Sequence, residues 1–273
     1  MNDIVNISGY KFAELDNLQD YQRLFKDKCK ALGLMGTVLL TPEGSNHLLA
    51  GSREATDAYR AFLETDPNFA GIVFKQSYSD RIPFRRLRVR VKKEAITTGR
   101  PEVNPGKFTG PHISAATLKQ WYDEGKDMFI LDTRNDYEIK FGTFDGAVDL
   151  DIQEFSAFDE AIDKLDPAIK DKPVVMFCTG GIRCEKASPI MMEKGFKEVY
   201  QLDGGILKYF EECGGEHYHG DCYVFDGRVA LKTDLSVSNY GQCQKCQNPI
   251  ELTEGQIPHY MKAEHCGHCA AVQ

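Results

Sequence analysis

The chain has 273 residues, of which 42% are hydrophobic and 27% are charged, and its formal net charge at pH 7 is −8. This length allows two domains and a small third one, and the composition is that of an ordinary globular protein. No apolar run approaches the roughly 20 residues needed to cross a bilayer, and the N-terminus lacks a basic segment and a cleavage site. We therefore expect a cytoplasmic protein without membrane association, and the acidic charge argues against indiscriminate nucleic-acid binding.

Residues 1–97 alternate strand and helix patterns and are predicted to form the first domain. Strands are expected at residues 4–12, 36–40 and 47–51, helices at 18–32 and 53–64, and further strand material at 72–77 and 87–91. The order β-α-β-β-α-β predicts a ferredoxin-like α+β sandwich. His47 lies after a turn in this domain, where a lone histidine is more often structural or solvated than catalytic.

A basic segment stands out from the acidic background of this domain. Within it, basic residues occupy every second position: Arg86, Arg88, Arg90 and Lys92. Period-two alternation places them on one face of a strand. The pattern fits either a solvated strand face that blocks aggregation or a surface that contacts RNA phosphates, and the residues alone do not separate these two interpretations.

Residues 98–112 are predicted to be a linker, because Pro and Gly at their density break both helix and strand. Residues 113–213 then have an α/β pattern that predicts a parallel sheet, with strands at 128–131, 148–152, 174–177 and 199–202 and a helix at 155–165. Asp132 ends the first of these strands, at the edge where open α/β sheets place ligands. Its alternative role is to cap the chain or to pair with Arg134.

The loop after strand 174–177 is the most informative part of the sequence. It reads Cys178-Thr-Gly-Gly-Ile-Arg-Cys184, with Gly180, Gly181 and Arg183 inside it, and a helix pattern follows. Inward-pointing backbone N–H groups, a helix N-terminus and an arginine all favour a thiolate over a thiol. We expect Cys178 to be a nucleophile with Arg183 supporting the loop and a second thiol, Cys184, beside it. The alternative is a buried structural cysteine.

Residues 214–273 form a cysteine-rich tail with few aliphatic residues. Four of its five cysteines come in two pairs separated by nineteen residues: Cys243 and Cys246, then Cys266 and Cys269. This spacing is typical of four-cysteine zinc sites and predicts a structural, zinc-ribbon-like tail, with a metal-free or disulfide-linked tail as the alternative. No flavin, NAD or haem signature is evident.

The spacing from Cys178 to Arg183, Cys-x4-Arg, resembles the loop of rhodanese-type sulfurtransferases, in which the cysteine carries a persulfide. Other stretches also match that family: residues 131–134 with Glu138, residues 142–147 and residues 202–206. The sequence departs from the family pattern at Thr143, where a His is usual, and at Cys184, where a Ser or Thr is usual.

The stretch 178–188 (CTGGIRCEKAS), the run 222–228 (CYVFDGR) and the paired-cysteine tail are similar to the bacterial tRNA uridine hydroxylase family. The resemblance extends from about residue 5 to the C-terminus. It implies an N-terminal acylphosphatase-like domain and oxygen-dependent 5-hydroxylation of the wobble uridine in the tRNA anticodon loop, and it favours RNA contact by the basic strand. The alternatives are a sulfurtransferase that passes persulfide sulfur to tRNA or a small acceptor, and a non-catalytic rhodanese-like binding module.

Overall fold

The structure is a computed structural model that describes residues 4–253, 260–261, 266 and 269. The chain divides into two compact units, Met1–Thr109 and Gly110–Gln273. Within the described residues, no helix is both long enough and apolar enough to cross a membrane.

The first unit is a five-stranded sheet with two helices. In chain order its elements are β1 (Ile4–Phe12), α1 (Leu18–Ala31), β2 (Met35–Thr41), β3 (Gly44–Gly51), α2 (Arg53–Leu63), β4 (Lys75–Ser79) and β5 (Leu87–Val91). The strand order is β4-β1-β3-β2-β5. The first four strands and the two helices make the expected ferredoxin-like arrangement. The last two strands, β4 and β5, do not pair with each other. They lie at opposite edges of the sheet, where β5 pairs with β2 in parallel.

The two helices of this unit lie on the same face of the sheet, because the fully buried rings of Phe25 from α1 and Tyr59 from α2 meet with centroids 6.2 Å apart. His47 on β3 is buried with them. Its ring nitrogens lie 2.8 Å from the hydroxyls of Tyr59 and Ser45, and burial lowers its pKa to about 3. A neutral histidine with both nitrogens hydrogen-bonded is part of the core.

The second unit begins with an α/β layer. Its elements are β6 (His112–Ile113), α3 (Ala115–Asp123), β7 (Phe129–Asp132), α4 (Asp136–Ile139), β8 (Gly142–Phe144), β9 (Val148–Asp149), α5 (Phe158–Ile162), β10 (Pro173–Phe177), α6 (Ile182–Glu193), β11 (Glu198–Leu202) and α7 (Gly205–Cys213). The sheet order is β6-β11-β10-β7-β9, and every pairing is parallel. Strand β10 is central, so its C-terminal end lies at the middle of the sheet edge. The predicted helix 155–165 is shorter, a 3-10 turn at Phe155–Ala157 followed by α5.

The chain after α7 forms short strands. These are β12 (Tyr218–Gly220), β13 (Cys222–Tyr223), β14 (Ala230–Leu231), β15 (Tyr240–Cys243), β16 (Pro249–Glu251) and β17 (Tyr260–Met261). Strand β12 pairs with β8, and β13 pairs with β14. The first of these pairings attaches the chain after α7 to the α/β layer.

Candidate active site

Strand β10 delivers Cys178 to a narrow loop at the centre of the sheet edge. The side chain is buried, and the backbone N–H of Gly181 donates a hydrogen bond to its sulfur at 3.1 Å. Gly181 has φ 93°, a conformation that L side chains rarely adopt, and it immediately precedes α6. Gly205 (φ 67°) packs behind the loop, where an added Cβ would come within 2.4 Å of the Cys178 carbonyl oxygen. The loop geometry therefore depends on glycine at both positions.

The surroundings of Cys178 favour its thiolate. Burial alone would raise its pKa, but a hydrogen bond from the Cys184 thiol, the charge of Arg183 and the N–H groups of the loop outweigh burial and lower the pKa to about 5. Burial and the neighbouring thiolate raise the pKa of Cys184, which therefore stays protonated. Its sulfur also lies 3.6 Å from the hydroxyl oxygen of Thr133. The loop thus holds one ionised and one neutral sulfur.

Arg183 is fixed by Glu138. Its two terminal nitrogens donate to the two carboxylate oxygens at 2.5 and 2.7 Å, and both side chains are buried. Glu138 belongs to α4, where it also accepts a hydrogen bond from the backbone N–H of Asn135, the residue before the helix, at 3.1 Å. The hydroxyl of Thr179 lies 3.4 Å from the same carboxylate. Glu138 therefore ties the helix after β7 to the cysteine loop.

Asp132 and Arg134 form a second buried ion pair. The guanidinium contacts both carboxylate oxygens, at 2.6 to 3.2 Å, and also donates to the carbonyl of Gly142 at 2.6 Å. Thr143, where the rhodanese pattern has a histidine, donates its hydroxyl to Asp132 at 2.7 Å. The contacts of Asp132 and Arg134 shape the turn at the end of β7, and none of them reaches Cys178.

The basic residues predicted to contact RNA lie on and beside the edge strand β5. Arg88 and Arg90 are within the strand, Arg86 precedes it and Lys92 follows it. A groove of about 370 Å³ runs between β5 and α1 and adds basic residues outside the alternating pattern: Lys26, Lys30 and Arg23, the last of which is paired with Asp20. Among the described residues, no carboxylate is within ion-pair distance of the basic residues on or flanking β5. This edge of the first unit is therefore a concentration of positive charge.

The four cysteines of the tail come together. Sulfur-to-sulfur distances are 3.8 Å for Cys243 and Cys269, 3.4 Å for Cys246 and Cys266, and 3.6 Å for Cys266 and Cys269. Four sulfurs bound tetrahedrally at about 2.3 Å from one ion would be about 3.8 Å apart. The amide of Asn248 also donates to Cys246, at 3.4 Å. The cluster could therefore hold one metal ion.

Sequence patterns assign no role to two residues of the site, Glu138 and Phe225. The sequence marks Glu138 only as part of the rhodanese resemblance, although its position three residues after Asn135 is a capping-box signal that indicates a fixed carboxylate. Phe225 lies within the run 222–228, and the resemblance of that run gives it no role of its own. Its ring centroid lies 5.7 Å from the guanidinium carbon of Arg183. No sequence pattern distinguishes Phe225, because an apolar residue next to Tyr223 and Val224 is predicted to lie in the core.

Comparison with known proteins accounts for nearly the whole chain. Residues 4–95 match the family model of the UPF0176 acylphosphatase like domain, and residues 114–212 match that of the rhodanese-like domain. Proteins named tRNA uridine(34) hydroxylase from Cupriavidus taiwanensis and Cupriavidus necator are 48% identical over 271 residues, 97% of this chain and 96% of each relative. The protein of that name from Burkholderia orbicola is 48% identical over 98% of this chain and 97% of its own. The resemblance and the fold prediction are confirmed, and the chain belongs to the tRNA uridine(34) hydroxylase family.

Proposed function

We propose that this protein hydroxylates C5 of the uridine at position 34 of tRNA, with molecular oxygen as co-substrate. The observation that carries the proposal is the Cys178 thiolate, which accepts a hydrogen bond from the backbone N–H of Gly181, in a chain whose relatives at 48% identity are named for this activity. We also propose that it works in the cytoplasm, where tRNA is found.

Cys178 supplies the nucleophile. The 5,6 double bond of uracil is conjugated to the C4 carbonyl, so a thiolate can add to C6 and place electron density on C5 and the C4 oxygen. C5 then takes up one atom of O2 as a hydroxyl group, while an external two-electron reductant, a thiol or a reduced nicotinamide, and two protons convert the other atom to water. Loss of the C5 proton and departure of the thiolate then restore the ring. At neutral pH no base is needed to ionise Cys178, because its pKa is about 5.

Arg183 and Glu138 act on the loop. Glu138 uses both carboxylate oxygens to hold the guanidinium, so the positive charge that favours the Cys178 thiolate keeps one position. Fixed charges beside a reacting atom stabilise developing negative charge without the cost of reorganisation. We therefore assign both residues to positioning and to electrostatics, and Asp132 with Arg134 to support of the neighbouring turn.

The basic edge of the first unit supplies the contact with tRNA. Phosphate contacts require local positive charge even on a net acidic protein, and they position the nucleic acid without reading its sequence. Arg88 and Arg90 on β5, with Lys26 and Lys30 across the groove, offer such charge. We propose that this edge binds the backbone of the anticodon arm and leaves the choice of base to the second unit.

The cysteine cluster of the tail is proposed to bind structural zinc. Cys243, Cys246, Cys266 and Cys269 would hold the ion, and a closed four-sulfur site leaves no position for substrate. When bound, zinc supplies cross-linking of the tail and no chemistry on the base.

Mass spectrometry of wobble uridine tests this function. A bacterial strain deleted for this gene should lack 5-hydroxyuridine at position 34, the wild-type gene should restore it, and the Cys178→Ser gene should not. Loss of a thiolated uridine instead would support the sulfurtransferase alternative. Unchanged nucleosides would contradict both activities and leave a binding module.

A further inference from the structure

One aromatic side chain projects from an otherwise buried segment beside the cysteine loop. In the stretch from Cys222 to Leu231, every residue is buried except Gly227, which is partly exposed, and Phe225, which is 48% exposed. An exposed phenylalanine contributes little hydrophobic stabilisation to the fold, because much of its ring stays in contact with water. The segment therefore presents this ring to the solvent.

The segment that carries Phe225 is held firmly. Asp226 and Arg228 form a buried ion pair, with the Arg228 side chain donating to both carboxylate oxygens at 2.9 and 2.5 Å. The backbone N–H of Val224 donates to the carbonyl of Val229 at 2.8 Å and closes the turn. Tyr223 packs its ring edge-on against Phe225, with centroids 5.3 Å apart. The ring is thus exposed and also fixed in orientation.

Phe225 stands at the rim of the site. The guanidinium of Arg183 lies over its ring at 5.7 Å, and the carbonyl of Tyr223 accepts a hydrogen bond from Thr179, the residue after the nucleophile, at 3.3 Å. At the adjacent Gly180, an added Cβ would meet nothing within 4 Å. The cysteine loop therefore has open space at Gly180, two residues after the nucleophile.

We propose that Phe225 is the platform on which the unstacked uracil of position 34 rests when it approaches Cys178. The inference rests on the proposed function. A base that reacts with a buried sulfur must leave its neighbours in the anticodon loop, and an aromatic side chain replaces the stacking it loses. The C4 oxygen of the uracil gains negative charge when the thiolate attacks. The Arg183 cation next to the ring therefore stabilises a uracil that is stacked on Phe225.

The test compares Phe225→Ala, Phe225→Trp and Phe108→Ala in the full-length protein. Phe108 is another exposed phenylalanine, 58% exposed, in the first unit. Loss of a stacking ring weakens binding of a single-stranded base by about 5- to 150-fold. Phe225→Ala should raise KM for a synthetic anticodon stem-loop by a factor in this range, Phe225→Trp should restore it, and Phe108→Ala should leave it unchanged. Alkylation of Cys178 by iodoacetamide should proceed at the wild-type rate in all three, which a merely structural role of Phe225 would not allow.

A photocrosslink provides a readout that does not depend on hydroxylation. A stem-loop with 5-iodouridine at position 34 should crosslink to Phe225 on irradiation, as mapped by peptide mass spectrometry. Two results would overturn the platform and leave the proposed function intact, provided that the wild-type enzyme is active. One is a KM of Phe225→Ala within twofold of the wild type, and the other is a crosslink only at residues other than Phe225. Wild-type protein that forms no 5-hydroxyuridine would instead overturn the proposed function on which the platform rests.

Discussion

Arg183 and Glu138, 45 positions apart in sequence, are joined by two hydrogen bonds in a buried ion pair. The pair links α4 to the loop between β10 and α6, so it holds the two sides of the site together. Although burial alone lowers the pKa of Arg183, the Glu138 carboxylate raises it above its usual value, and the guanidinium stays charged. The structure therefore keeps a permanent cation beside the Cys178 sulfur.

Breaking this pair should destabilise the second unit. Glu138→Gln leaves the Arg183 charge buried without a counter-charge, which typically costs about 3–5 kcal/mol. We expect the free energy of unfolding in urea to fall by about 3 kcal/mol. The control is Asp127→Asn, which removes the exposed pair of Asp127 with Lys172 and should cost less than about 1 kcal/mol. An equal decrease in the free energy of unfolding for the two variants would show that the buried pair does not stabilise the site.

Cys178→Ser should abolish uridine hydroxylation while the protein stays folded, because a serine hydroxyl of similar volume is not ionised at neutral pH. Cys184→Ser is the matched control, since it changes the other sulfur of the loop and keeps a hydrogen-bond donor. We expect it to retain activity. The measurement is formation of 5-hydroxyuridine by mass spectrometry. Full modification of tRNA by Cys178→Ser, or complete loss of activity in Cys184→Ser alone, would indicate that Cys184 is the nucleophile.

The rate of Cys178 alkylation should depend on pH with a midpoint near its pKa of about 5. Since the thiolate is the reacting form, the rate should rise as pH increases through 5 and should be level above pH 6. Cys184→Ala removes a hydrogen bond that lowers this pKa, so its midpoint should move to higher pH, whereas Cys184→Ser should keep most of the shift. Mass mapping of iodoacetamide adducts reads Cys178 alone. A wild-type midpoint near 9 would contradict the thiolate assignment.

The conformation of the cysteine loop can be predicted from the sequence, because it depends on residues close to Cys178 in the chain. Gly180, Gly181 and Arg183 lie within five positions of Cys178, and the apolar strand before it and helix after it set the geometry. The partner of Arg183 depends on how α4 packs, and spacing within one segment carries no information about that contact. Strand β5 shows the same limit, because alternation predicts a strand but does not say which edge of the sheet it joins.

Purified protein should contain about one zinc per chain if the four tail thiols close one site. Cys243→Ser or Cys266→Ser should release the metal and lower the melting temperature of the tail, because the tail has few apolar residues to hold it. Cys213→Ser is the control, since Cys213 lies outside the cluster. Metal analysis and limited proteolysis give the readouts. Metal-free protein whose tail resists proteolysis would show that other contacts stabilise it.

Reversing charge on the edge strand should weaken tRNA binding. Arg88 and Arg90 are on one strand face, about 6.6 Å apart, comparable to the spacing of phosphates along a nucleic-acid backbone. Phosphate contacts release counterions, so each one lost makes binding less sensitive to salt. The double variant Arg88→Glu with Arg90→Glu should bind tRNA at least tenfold more weakly and show a shallower salt dependence, while Cys178 alkylation stays unchanged.

The matched control for this variant is Lys164→Glu with Lys197→Glu, which alters net charge equally at exposed sites of the second unit. It should bind tRNA with the affinity of the wild type if position rather than total charge matters. Equal loss in both double variants would mean that net charge alone governs binding. Unchanged affinity after the Arg88 and Arg90 reversals would return β5 to a solvated edge that blocks aggregation, since charged side chains on an edge strand serve that purpose without any ligand.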